Sequence, residues 1–398
     1  MGNERRKQNE NGHESVRLHS GLQKNSGSSK MKVLYLGHQN EPTGWGRAAL
    51  DNILALGAAG VDVVCRNIDL TGQVNTPPEL VEFERKDCHD ATHCVQHVLP
   101  HHLVGTTKYK KNIAYFVSET YETNHLDWNS HLQLVDELWV PNDGLRSDLS
   151  MEGFKASVVH HCCDPTKYAK SYPEVKIPGA DHTFKFYCIS DFNDRKNIES
   201  VVRCFHSEFD RSEPVSLILK LNKFNIPAEK VKHQIEGLCN NIKIRSRLYS
   251  NKEDYHKEFV ITGHSTEDQI MSLHQYGDCF LNFSHGEAWS IPAFDAMAFG
   301  NTPIVTDLPG TSEYIQWDED EVGYCVSCQS SVCDSVDAAF PDLFTARDTW
   351  RQIDESEAKR TMRHYYENRV DRRSRGLKRA KDFSHQLVGN TMKELLLA

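Results

Sequence analysis

The sequence contains no apolar run approaching the ~20 residues that a membrane-spanning helix needs. Residues 1–30 are rich in Asn, Ser, Gly and charge and lack the apolar core of a secretory signal. They read as a disordered leader, and a cytoplasmic location is the expectation. An excess of basic residues is also missing. Lys and Arg number 46 against 56 Asp and Glu, a net charge of −10, which does not advertise a nucleic-acid or anionic-membrane partner. The 12 cysteines are scattered through 398 residues instead of framing a small disulfide scaffold, so reduced thiols are expected. Cys325 and Cys328 form a Cys-x-x-Cys with Cys333 after it, but no fourth ligand stands at a comparable spacing for zinc. Cys88, His89, His93, Cys94 and His97 would make a metal face on a helix, yet Cys94–Leu99 reads as a short strand ending at Pro100, which breaks the stripe. No metal site and no bound cofactor are expected. Gly-x-Gly-x-x-Gly is absent after the first strand, which counts against a dinucleotide-binding dehydrogenase. Internal repeats are absent too, beyond a generic α/β alternation.

What is present is organised around residues 284–300. Asp278–Phe283 reads as a buried strand. A polar loop follows, and then a helix that Ser290 can cap and in which Pro292 sits just inside the start. Gly300 closes that helix, and Thr302–Val305 begins the next strand. Such a unit presents its loop at the carboxyl end of a sheet, where α/β folds bind ligands. Glu287 leaves the strand and Asp295 lies in the helix, with seven residues between them. A helix start suits phosphate, whereas carboxylates suit hydroxyl groups. A sugar nucleotide meets both demands.

In chain order, Val33–Leu36 reads as a strand, Gly44 and Gly46 as a glycine-bearing loop, and Arg47–Ala58 as a helix. His38 follows the first strand, and His97 lies near the end of a later one; each is either a satisfied core histidine or a cleft residue. Glu119, in Ser118–Glu122, leaves another strand end and is either an exposed loop acid or a cleft group. Asp164 to Asp181 carries three prolines without an apolar period and reads as a linker. A second domain opens at Phe184–Ile189. Arg195 and Lys196 then stand where a strand-end loop meets an apolar helix, a place where a diphosphate would meet two cations and a helix dipole. Glu313 reads as either a cleft-facing acid or a first-turn helix acid, the second being favoured. The expected organisation is a leader (1–30), a first Rossmann-like domain (31–163), a linker (164–181), a second such domain (182–350) and a helical segment (351–398).

Ser284-x-x-Glu287, with Pro292-x-x-Asp295-Ala296-Met297-Ala298-x-Gly300-x-x-Pro303, resembles the acidic signature of family 4 glycosyltransferases, retaining enzymes of the GT-B fold. The resemblance implies two Rossmann-like domains facing a cleft, with the last helix crossing back to the first domain. It implies that Glu287 contacts donor-sugar hydroxyls and Asp295 the ribose. Trp289, Ser290 and Ile291 then approach the phosphates, the Gly44–Gly46 loop faces phosphates and acceptor, and Gly263 and His264 lie beside the nucleobase. Lys196 matches the family's lysine, and Arg195 substitutes for an arginine whose place Asp191 occupies. Asp295 is one methylene shorter than the family's glutamate, and Ala288-Trp289-Ser290 replaces its Gly-Phe-Gly.

The function so implied is retaining transfer of a hexose-type sugar from a nucleotide-diphosphate sugar, a co-substrate, to an acceptor hydroxyl. Lys196 and Arg195 would stabilise the leaving diphosphate without a metal. His97, Glu119 and His38 are the acceptor or cleft candidates, and the acceptor itself is a glycan, a lipid, a small molecule or a modified nucleic acid. Lys108, Lys110 and Lys111 are compatible with an anionic acceptor or with a solvated loop. Two alternatives stay open: another GT-B enzyme such as an epimerase, and a catalytically silent sugar-nucleotide-binding protein.

Overall fold

Val33, Tyr35, Val63, Val64 and Cys65 are completely buried, because the first two strands are covered on both faces, as parallel sheets usually are. The computed structural model describes residues 31–69, 72, 75–120, 128–316, 321–334 and 345–398. The expected leader, and Tyr121 and Glu122 of the stretch after Ser118, lie outside the described residues.

In the N-terminal lobe, β1 (Lys32–Gly37), β2 (Asp62–Asn67), β3 (His93–Gln96), β4 (Lys111–Tyr115), β5 (Glu137–Val140) and β6 (Ala156–Val158) form a parallel sheet in the order β2-β1-β3-β4-β5-β6. The helices are α1 (Gly44–Ala58), α2 (Val81–Arg85), α3 (Trp128–Leu132) and α4 (Asp143–Met151). Helix α1 starts three residues before the expected Arg47, because the Thr43 hydroxyl accepts from the Gly46 N–H and caps it. Gly44 and Gly46 therefore belong to a helical first turn and not to a free loop.

The C-terminal lobe repeats this plan. Strands β7 (Phe184–Asp191), β8 (Val215–Asn222), β9 (Glu258–Ile261), β10 (Cys279–Asn282), β11 (Thr302–Thr306) and β12 (Tyr324–Val326) run parallel in the order β12-β11-β10-β7-β8-β9. Helices α5 (Ile198–Glu208) and α6 (Ala228–Ser246) cover one face. Helices α7 (Glu267–Tyr276), α8 (Ile291–Phe299) and α9 (Pro309–Ile315) cover the other. An antiparallel pair, β13 (Cys328–Val332) and β14 (Thr349–Ile353), is added to this lobe. Three helices end the chain: α10 (Glu355–Glu367), α11 (Arg373–Lys381) and α12 (His385–Leu397).

Helix α12 crosses back to the N-terminal lobe. Its Val388, Met392 and Leu396 join the core formed by β1, β2 and α1. Gly389 lets it approach closely, since a Cβ there would lie 2.0 Å from the Ala55 carbonyl oxygen. Lys111 Nζ donates to the Leu395 carbonyl at 2.7 Å and pairs with Glu137 at 2.9 Å. That lysine of the expected basic cluster thus anchors the C-terminus of a helix, where a cation is favourable. All twelve cysteines are free thiols. Among the described residues no helix is long and apolar enough to cross a membrane, and potential metal ligands converge only at Asp87, Cys88 and His89 between α2 and β3.

Two glycines inside helices separate packing from propensity. Gly389→Ala is expected to lower the melting temperature, at a cost of roughly 1–3 kcal/mol from overpacking against α1. Gly237, mid-helix in α6 with nothing within 4 Å of its added Cβ, predicts the opposite sign: Gly237→Ala should stabilise by roughly 0.5–1 kcal/mol. Thermal unfolding of the two variants checks both.

Candidate active site in the cleft between the lobes

Strands β7 and β10 are neighbours in the second sheet, and at that pair the chain changes its direction of winding across the sheet. Loops leaving two such strands part company and open a crevice, the place where α/β sheets bind ligands. The β7 loop carries Arg195 and Lys196 on a short helical turn, which the Asn193 side chain caps through the Lys196 N–H. Asn197 then adopts φ +49° and caps α5, so one loop delivers two cations and starts a helix. The β10 loop carries Glu287. Its backbone is tied to the β7 loop by the His285 N–H donating to the Arg195 carbonyl at 2.8 Å.

These two loops bring the predicted charges together. Lys196 Nζ lies 2.6 Å from Glu287 Oε1, and Arg195 lies 3.5 Å from the other carboxylate oxygen. Ser284 and Asn282 also donate to Glu287 Oε1, at 2.8 and 3.3 Å. Burial pushes the Glu287 carboxyl up, but Lys196 and Arg195 outweigh it and hold the group down at about 2. Arg195 reaches further, pairing with Glu119 of the N-terminal lobe at 2.8 Å and donating to the Gly286 carbonyl at 2.6 Å. Burial, the largest influence on Glu119, keeps its carboxyl above the ordinary range against the pull of Arg195 and Lys196. The lobes touch closely here: a Cβ on Gly286 would lie 1.7 Å from the Glu119 carbonyl oxygen. Asp191, which stands in the family arginine's place, is exposed at the end of β7.

Other predicted residues sit elsewhere. Asp295 is buried and already engaged, accepting from Tyr168 at 2.6 Å and pairing with Lys167 at 3.0 Å. Burial raises its carboxyl, yet Lys167 takes it below the ordinary range. Lys167 and Tyr168 come from the stretch expected to be a plain linker. Its proline-rich composition gave no sign that the short turn Pro165–Ala169 would bury them beneath α8. Ile291 and Asp295 line a small pocket with Asp51 and His161 of the N-terminal lobe. Burial holds the His161 ring at about 4.

Trp289 packs its side chain into an aromatic cluster, stacked on His161 with 5.7 Å between ring centroids and tilted against Tyr314 at 5.1 Å. It is core. Ser290 occupies the residue before α8, but it does not cap the helix as expected. Its φ of +66° turns the hydroxyl back to accept from Asn282 at 2.6 Å. Gly263 (φ +92°) turns the chain after β9 and its carbonyl accepts from Lys220 at 2.7 Å, while His264 is exposed beside it. Glu313 is not a first-turn acid. It lies past the first turn of α9 and accepts from the Asp143 N–H at the start of α4, 3.2 Å away across the lobes.

His38 and His97 lie together at the corresponding crevice of the first sheet, where β1 and β3 are neighbours. His38 Nδ1 donates to the Ile68 carbonyl at 2.7 Å. His97 Nδ1 meets the Tyr35 hydroxyl at 2.9 Å, and burial holds its pKa well below the ordinary value. Both are more than nine-tenths buried.

Sequence reasoning missed the clamp on the Glu287 loop. The His285 ring stacks on Trp350 of β14 at 5.1 Å and 7°, and the backbones of His285 and Arg351 are bonded at 2.9 Å. A strand more than sixty residues downstream thus braces the loop, and nothing local to residues 284–287 announces it.

Residues 233–339 match the family model described as Glycosyl transferases group 1, about a quarter of the chain. No curated relative matches the sequence. Among solved structures, the chain is similar to sucrose-phosphate synthase from Thermosynechococcus elongatus, with a TM-score of 0.60 and 13% identity over 92% of this chain and 98% of that one. It is similar to the E. coli trehalose-6-phosphate protein bound with UDP-2-fluoro glucose, with a TM-score of 0.61 and 10% identity over 92% and 98%. Anabaena HepE in complex with UDP and glucose gives 0.58 and 10% over 92% and 100%. The two parallel six-stranded sheets, the cleft between them and these likenesses agree: the chain has the GT-B fold, with a Glycosyl transferases group 1 match over residues 233–339.

Proposed function

We propose that this protein is a retaining glycosyltransferase that moves a hexose from a nucleoside-diphosphate sugar to an acceptor hydroxyl. The observation that carries the reading is the convergence of Glu287, Lys196 and Arg195 at the β7–β10 crevice. Without a ligand, each charge is satisfied by another. On binding, the diphosphate takes the place of Glu287 at Lys196, and Glu287 turns its oxygens to the sugar hydroxyls, while Asn282 and Ser284 continue to orient it. The exchange trades one buried ion pair for another, so the donor need not bring charge into an uncompensated site.

In the transfer step, negative charge grows on the leaving diphosphate as the anomeric bond breaks. Lys196, Arg195 and the N-terminus of α8 stabilise that charge. The acceptor hydroxyl attacks the face from which the diphosphate departs and passes its proton to the departing diphosphate oxygen, so the configuration is kept without a protein nucleophile. Side-chain cations do the work that a metal ion does in other diphosphate chemistries. UDP and glucose in the HepE complex, and UDP-2-fluoro glucose in the E. coli structure, support a UDP-hexose as the donor.

One observation favours the second reading, a silent sugar-nucleotide-binding protein: Asp295 is held by Lys167 and Tyr168 instead of standing free for a ribose. Release of UDP from UDP-glucose, with or without an acceptor, decides between the two.

UDP is expected to raise the melting temperature of the protein, and Lys196→Ala to abolish the rise. Retention of the rise in that variant would sink the donor assignment. Glu287→Gln should keep UDP binding and lose about 100-fold or more of the turnover of UDP-glucose. The charge network also sets an acid response. Glu287 falls from an ordinary 4.5 to about 2 in the folded protein, so its stabilising effect is present above pH 4.5 and is lost as pH drops toward 2. That contribution is on the order of 3 kcal/mol. Urea unfolding at a series of pH values should show a shallower acid loss in Glu287→Gln than in the parent.

A further inference from the structure

The connection between α2 and β3 gathers three metal-binding side chains that the transfer mechanism does not use. Asp87, Cys88 and His89 are consecutive, and on an extended strand such neighbours point to opposite sides. Here the chain turns instead. The Ala91 N–H donates to the Cys88 carbonyl at 3.2 Å, and the His89 N–H donates to the Asp87 carboxylate at 3.1 Å. A carboxylate oxygen, the thiol and an imidazole nitrogen consequently lie within 4.8 Å of one another. His93 and Cys94 are drawn into β3, with His97 beyond it, and do not join them. The loop is tied at both ends. Arg66 donates to the Glu84 and Lys86 carbonyls, each at 2.7 Å. The Thr92 N–H donates to the Lys32 carbonyl at 2.9 Å, and Lys32 pairs with Asp90 at 2.6 Å. Between these ties Cys88 is half-buried against Leu34, Val64, Ala91 and Cys94, while Asp87 and His89 are exposed.

We propose that Asp87, Cys88 and His89 form a zinc-binding site that pins the loop entering β3, with water in the fourth position. Bonds of about 2.0–2.3 Å in a tetrahedral complex set ligand atoms roughly 3.3–3.8 Å apart, so the group must contract by about 1 Å. The seated thiol fixes one corner, and the exposed Asp87 and His89 side chains rotate onto the ion. Binding takes the proton from the Cys88 thiol and releases it to solvent. The thiolate and the Asp87 carboxylate then offset the two positive charges, and neutral His89 adds a nitrogen. A thiolate with an imidazole selects zinc over magnesium or calcium, which prefer oxygen ligands. The neighbouring cations do not compete for these ligands. Lys32 is held by Asp90, Lys86 by Asp62 at 3.1 Å, and Arg85 by Glu82 at 3.6 Å. Asp90, engaged with Lys32, leaves the fourth position to water.

Titration of the metal-free full chain with Co²⁺, followed by Zn²⁺ competition, tests this. A thiolate-to-cobalt absorption band should grow to one equivalent per chain and disappear as Zn²⁺ is added. Cys88→Ser should abolish the band, whereas Cys328→Ser should leave it unchanged. His89→Ala and Asp87→Asn should each weaken binding at least about tenfold. Both side chains are exposed, so these two variants should keep the melting temperature of the metal-free parent, and they carry the test if Cys88→Ser does not fold. Zn²⁺, but not Mg²⁺, should also protect Cys88 from alkylation by iodoacetamide, read by peptide mass, with Cys325 and Cys328 reacting as they do without metal. No band in the parent, a band that survives in Cys88→Ser or is lost in Cys328→Ser, or unchanged affinity in His89→Ala or Asp87→Asn would each overturn the assignment. Equal protection of Cys88 by Mg²⁺ would overturn it as well.

Discussion

A buried carboxylate between two cations governs this structure. Taking Glu287 out of water is costly, and Lys196 alone would leave one of its oxygens without a charged partner. Arg195 supplies that second contact and then spans the cleft to Glu119, so the charges compensate one another across the lobes. The requirement for compensation explains why two loops from adjacent strands must hold a fixed register. It also explains why the Gly286 backbone lies directly against Glu119, a separation that no side chain could share.

The rest of the cleft is arranged to keep that register. His285 is bonded to the Arg195 backbone on one side and clamped by Trp350 and Arg351 on the other. Asn282 donates both to Glu287 and to Ser290, which links the strand end to the start of α8. On the far side, Asn142 donates to the Ala288 carbonyl at 3.0 Å and Glu313 accepts from the first turn of α4, so the N-terminal lobe grips both that loop and α9. Helix α12 completes the tie by burying its apolar face in the N-terminal core. The lobes are thus joined near the site by polar contacts and by the stacking of Trp289 on His161, and away from it by a packed helix.

The two sheets offer two crevices of different chemistry. At the second sheet the crevice is charged, with cations and carboxylates already paired. At the first it is neutral, with an amide, an indole and imidazoles.

Periodicity and local chemistry were enough to determine the strand–helix alternation, the dibasic turn before α5 and the carboxylate after β10. Each depends on neighbours within one or two turns of chain, which is the range over which burial pattern and capping speak. Tertiary structure alone decided that Asp295 faces a lysine from the linker, that Trp289 is core, that Ser290 bends back to Asn282, and that Trp350 braces His285. Those outcomes join residues from about eight to more than a hundred positions apart, and they follow from which unpaired charge or exposed ring lies nearest once the sheets have closed, a quantity that no stretch of sequence carries by itself.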